Sequence, residues 1–247
     1  MIVRSLLVRG MLAGLVAGLA AFVFARVFGE PALEAGLAFE DALAHAAGEH
    51  QHEELVGRGV QAGLGLGVAH AVFGIVVGGI VALAYAVARG RLGPLGARGT
   101  AVLVSVLGFV SAILVPMVKY PANPPAATDD DTIGARTGLH LLFVVASVLL
   151  AVAAVVVARR LAERAGWWTA TLAATGGYLV VMLVLGALLP AFAETPPAFP
   201  APVLYDFRMA ALGGHAVLWG VLAAVFGSLA GGRAGARTGS PGRAAVG

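Results

Sequence analysis

Three histidines and three carboxylates crowd into one short stretch, HAAGEHQHEE, and His45, Glu49, His50, His52 and Glu53 are its candidate ligands. Imidazole nitrogen and carboxylate oxygen suit divalent transition metals, and on a short helix His45, Glu49 and Glu53 would share a face. A solvated acidic loop with incidental histidines is the competing reading, because no fixed ligand spacing of a known site is present. Three more histidines, His70, His140 and His215, fall inside apolar runs. An ionisable group at such depth is costly enough to mark a pathway by default; the alternative is a neutral imidazole bonded to a neighbouring helix. The chain has no cysteine, so thiolate ligands and disulfides are excluded.

A second set of residues frames the breaks between apolar runs. VPMVKYPANPP, residues 115–125, ends a hydrophobic run at Lys119, and its prolines deny a helix the amides it needs to continue. Lys119 and Tyr120 suit a membrane–water boundary, where each can keep a polar end wet. Similar breaks occur at Glu30-Pro31 and at Glu194–Pro196, and an arginine (Arg58, Arg136, Arg208) opens each return run. That pattern predicts a weak threefold repeat of hairpins, a common way to build a transporter. Glu30, Lys119, Asn123, Arg136, Glu194 and Arg208 are thereby expected to shape a mouth, with the basic members pairing with acids rather than touching a cation.

The elements that must position these residues are transmembrane helices. Hydrophobic residues make up 60% of the 247 and charged ones 12%, about half the share usual in soluble domains. In lipid the backbone must satisfy itself, and the alternating pattern of a barrel is absent, so the class is all-α, a polytopic helix bundle. About six spans are expected, near 10–28, 61–87, 101–118, 138–158, 168–189 and 210–230. They make one transmembrane domain over 1–230, with an external loop at 29–58 and a basic, disordered tail at 231–247. Gly10, Gly14 and Gly18 recur every fourth residue, as do Gly59, Gly63 and Gly67 and then Gly74 and Gly78, and such faces let backbones approach closely.

Charge sets the orientation. Arginines gather before the first run and in alternate connections, leaving Arg26, Arg58, Lys119, Arg136 and Arg208 on the opposite side. Both termini are therefore expected in the cytoplasm, and the multi-pass chain in the cytoplasmic membrane, with lipid as its surroundings. Of the 13 acidic residues only Glu163 falls on the cytoplasmic side, which points to cation attraction outside. The basic residues are split among short loops, so no nucleic-acid surface is expected. The first run also carries features of a signal peptide. GLGLG lacks the strand before it and the Gly-Lys-Ser/Thr after it that a nucleotide loop needs, and no nucleophile–base pair appears, so no enzyme is expected.

KYPANPP followed by TIGART, GEP after the first run, and ETPPAFPA with a downstream FR resemble the CbtA family, the larger membrane subunit of a proposed bacterial cobalt transporter. The resemblance runs from about Arg4 to Gly231. It implies cobalt uptake linked to cobalamin synthesis, with Co²⁺ as the transported ion, no tightly bound cofactor, and a small one-span companion bearing histidines. The alternative is a non-transporting membrane scaffold or assembly factor. In the transport reading His45, Glu49, His50, His52 and Glu53 capture the ion, and His70, His140 and His215 pass it on.

Overall fold

A computed structural model describes residues 3–48 and 57–231 of the chain. Among these the structure is helical, without strands, as backbone in lipid requires. Helix α1 (Val3–Phe24) runs through a π-helical turn, Ala25–Gly29, into α2 (Glu30–Ala47), so the expected external loop begins as a helix. Pro31 does not stop it. The proline sits just past the π turn, where the hydrogen-bond ladder is already changing register and a missing amide interrupts little. Helix α2 ends at Gly48, whose φ of 75° lets its N–H turn back to the carbonyls of Ala44 and His45.

Helix α3 (Arg58–Val60) and a second π turn, Gln61–Gly65, lead into α4 (Leu66–Ala88). Helix α5 (Ala97–Phe109), a third π turn, Val110–Leu114, and α6 (Val115–Lys119) form the next run. A single 3-10 turn, Asp130–Thr132, opens α7 (Ile133–Leu188), and α8 (Ala201–Gly231) completes the order. Among the described residues five helical runs are long and apolar enough to cross a membrane. Helix α7 has 56 residues. At 1.5 Å per residue it would reach about 84 Å, far beyond a hydrocarbon core of about 30 Å. It is broken at Gly166, where φ 76° and ψ 158° are not helical. Its arms, 133–165 and 167–188, fold back on each other, with Phe143 against Met182 and Ser147 against Tyr178. The break divides the fourth run, which restores the six passes the sequence predicts.

Glycine decides the tightest contact. Gly10, Gly14 and Gly18 of α1 lie on Gly78, Gly74 and the His70 backbone of α4, an antiparallel pairing in which the two main chains touch. A Cβ on Gly14 would collide with the carbonyl of Gly74. Helix α8 seals this pair with Leu218, Leu222 and Phe226, the last meeting Tyr85 edge-on at 5.3 Å. Trp219 lies on Gly108 of α5, and Arg9 donates to the Leu229 carbonyl at 2.9 Å. The α7 hairpin is held to the α5–α6 run by a smaller cluster in which Phe143, Tyr178 and Met182 pack against Val115 and Tyr120. The bundle thus has a dense four-helix body and an attached hairpin, and the helix ends bearing Lys119, Arg136 and Arg208 gather at one end.

Candidate functional site

At that end, helix termini are tied to one another by the residues that interrupt them. The fifth pass ends at Leu188, which leaves its last carbonyls without helical donors. Lys119 Nζ donates to the Leu189 carbonyl at 3.0 Å and the Tyr120 hydroxyl to that of Pro190 at 2.9 Å. An ammonium at a helix C-terminus also meets the negative end of its dipole. Burial pushes the Tyr120 phenol up, which keeps it a donor. Lys119 was expected to pair with a carboxylate; it caps a helix instead.

Asp129 caps the start of the fourth pass, its side chain accepting from the Asp131 amide at 3.0 Å. One turn on, Arg136 donates through Nε to Thr132 Oγ1 at 2.9 Å and through Nη2 to the Asp129 carbonyl at 2.8 Å. Glu194 comes from the loop before α8. It lies 3.6 Å from Arg136 Nε and accepts from Thr132 Oγ1 at 2.8 Å and the Asp129 amide at 3.3 Å. Arg208 closes the exchange in the other direction, with Nε at 3.2 Å and Nη2 at 2.7 Å from Asn123 Oδ1. The second hairpin therefore gives an arginine to the third and the third gives one to the second. The first hairpin is tied within itself: Arg58 pairs with Glu30, which is 3% exposed, and its Nη1 reaches Gln61 Oε1 at 3.1 Å.

These ties surround two adjoining cavities. One, of about 440 Å³, is lined by Lys119, Tyr120, Asn123, Arg136, His140, Glu194, Arg208 and His215. The other, of about 250 Å³, is lined by Glu30, His70, Phe73 and His215. His215 stands in the wall of both, with Phe73 edge-on at 6.1 Å. His70 Nδ1 is 2.9 Å from the Leu66 carbonyl. A carbonyl can only accept, so Nδ1 carries the hydrogen and the Nε2 lone pair is left for a ligand.

Chemically the arrangement offers imidazoles in succession rather than a closed cage. Among the described residues no three His, Asp or Glu side chains converge to hold a metal ion. His45 is exposed in the last turn of α2, away from both cavities, while Glu49, His50, His52 and Glu53 lie outside the described residues. Sequence reasoning missed Thr132, the hinge between Arg136 and Glu194, and Phe73. The signals were there: Thr132 stands three residues after the capping Asp129, and Phe73 one turn from His70.

A family model described as "Probable cobalt transporter subunit (CbtA)" matches residues 3–231. No curated protein and no solved structure matches the chain.

Proposed function

The chain belongs to the CbtA family of probable cobalt transporter subunits, and on that premise we propose that it carries Co²⁺ inward across the cytoplasmic membrane to supply cobalamin synthesis. The companion in this reading is a small one-span subunit with histidines. The end bearing Lys119 faces outward and both termini face the cytoplasm, as the arginine distribution favours.

The observation that carries the reading is His215, which lines both cavities and so links His140 on one side with His70 on the other. Paired imidazoles, completed by water or carbonyl oxygen, bind Co²⁺ less tightly than a full ligand cage, and passage needs sites an ion can leave. Below His70 the route is shut by the contact of Gly74 and Gly78 with α1, which suits a state open to the outside. Lys119, Arg136 and Arg208 hold the mouth together. The acidic, histidine-bearing stretch through Glu49, His50, His52 and Glu53 gathers the ion outside.

Uptake of radioactive cobalt into proteoliposomes, with and without the companion, tests this. Flux is expected, with His215→Ala removing most of it and His70→Ala and His140→Ala each lowering it. A scaffold would give no flux in any preparation. Replacing His45, His50 and His52 together by alanine is expected to lower uptake only at low external cobalt.

A further inference from the structure

We propose that the larger cavity receives its metal as a complex with a small polycarboxylate, whose carboxylate arms are taken by Arg208 and Lys119 while the metal passes to His140 and His215. This rests on the transport reading and specifies the form in which the ion arrives.

Size is the first argument. A divalent ion with six waters, at about 30 Å³ per water, fills about 180 Å³. The cavity is about 440 Å³, within the range of small-molecule sites rather than ion sites.

Charge is the second. Three cations, Lys119, Arg136 and Arg208, line the cavity with one carboxylate, Glu194. Arg136, Thr132 and the Asp129 amide already engage Glu194. Neither Arg208 nor Lys119 has a carboxylate partner among the described residues. Arg208 spends Nε and Nη2 on one neutral amide oxygen, and Lys119 donates to one carbonyl. Nη1 of Arg208 and two ammonium hydrogens remain for an incoming acceptor. A bare dication meets repulsion here, whereas a complex of net negative charge meets attraction and a guanidinium shaped for carboxylate.

The imidazoles supply the third argument. His140 and His215 share this cavity with the cations. In the exchange, cobalt–oxygen bonds to carboxylate break as cobalt–nitrogen bonds to neutral imidazole form. Cobalt stays divalent, no proton moves, and the freed carboxylates remain ionised against Arg208 and Lys119.

The test is titration calorimetry on the full chain in nanodiscs, with citrate, 1:1 Co²⁺–citrate and CoCl2 as probes. We expect Co²⁺–citrate to bind at least tenfold more tightly than CoCl2. Arg208→Gln with Lys119→Gln should weaken citrate and Co²⁺–citrate at least tenfold without weakening CoCl2. His215→Gln should weaken only the cobalt-bearing probes. Tighter binding of CoCl2 than of its citrate complex, or citrate binding indifferent to the double variant, overturns the proposal. So does equal binding of citrate with and without cobalt, the result for a plain anion site. Should the double variant not fold, the wild-type comparison of the three probes decides alone. Cobalt flux from CoCl2 without citrate binding removes this inference and leaves the transport reading; binding of the complex without flux does the reverse.

Discussion

Glu30 is 3% exposed and Arg58 is 32% exposed, so the two halves of their ion pair differ in what they risk. Removing the arginine strands a buried carboxylate; removing the carboxylate leaves a guanidinium that solvent still touches. Arg58→Met is therefore expected to cost about 2–4 kcal/mol, and Glu30→Gln added to it should recover a large part by deleting the stranded charge. Thermal unfolding of the single and double variants in detergent measures both, and equal losses in the two would refute the asymmetry. The same reasoning separates Lys119 from Arg136. Lys119 satisfies a helix-end carbonyl, a task neutral donors share, whereas Arg136 stands 3.6 Å from a Glu194 carboxylate that is mostly enclosed.

Among the elements, the third π turn has an identifiable cause. The Val115 amide bonds to the Val110 carbonyl, the wide π spacing, and Pro116 has no amide to offer. The Ser111 carbonyl is left without a helical donor. Ser147 Oγ of the α7 hairpin supplies it at 2.6 Å and, having spent its one hydrogen, accepts from the Tyr178 hydroxyl at 2.7 Å. One proline thus creates the polar socket that docks the hairpin. Ser147→Ala is expected to cost about 1–3 kcal/mol, and less in a Pro116→Ala background, where the helix can satisfy its own carbonyl. Additive losses would show the two to be independent. The glycines divide in the same way. Gly14→Ala drives a methyl into the Gly74 carbonyl and should cost about 1–3 kcal/mol, while Gly176→Ala, with open space around it, should be neutral within about 0.5 kcal/mol. At the hairpin tip, Gly166 holds φ 76° and ψ 158°, a region closed to side chains, so Gly166→Ala should cost about 1–3 kcal/mol.

For the molecule as a whole, sidedness governs everything proposed about uptake. The chain has no cysteine, so a cysteine placed at exposed Asp130 or exposed Glu163 is the sole target for a membrane-impermeant maleimide. Labelling of Asp130→Cys in intact cells, and of Glu163→Cys only after permeabilisation, is the expected result; the reverse would turn the mouth toward the cytoplasm. Composition and periodicity alone determined a helical membrane protein, the approximate spans and the glycine face of α1, because lipid tolerates few other solutions; the expected face of Gly59, Gly63 and Gly67 meets no other backbone, and Gly74 and Gly78 make the close approach instead. They also marked Lys119, Arg136, Arg208 and their proline breaks, since prolines and interfacial cations announce helix ends locally. Only the tertiary structure decided how those ends meet. Asn123 lies 85 residues from Arg208, and Glu194 lies 62 from Thr132, so nothing in the local pattern could pair them. It also changed the character of the mouth. Counting acids along the chain points to a negatively charged vestibule, yet the charged side chains lining the described cavity are three cations, Lys119, Arg136 and Arg208, against one carboxylate, Glu194, while Asp129, Asp130 and Asp131 are exposed and stand outside that lining. The physical reason is that charge counted along a chain is one-dimensional, while the field inside a cavity depends on which side chains the helix packing turns inward.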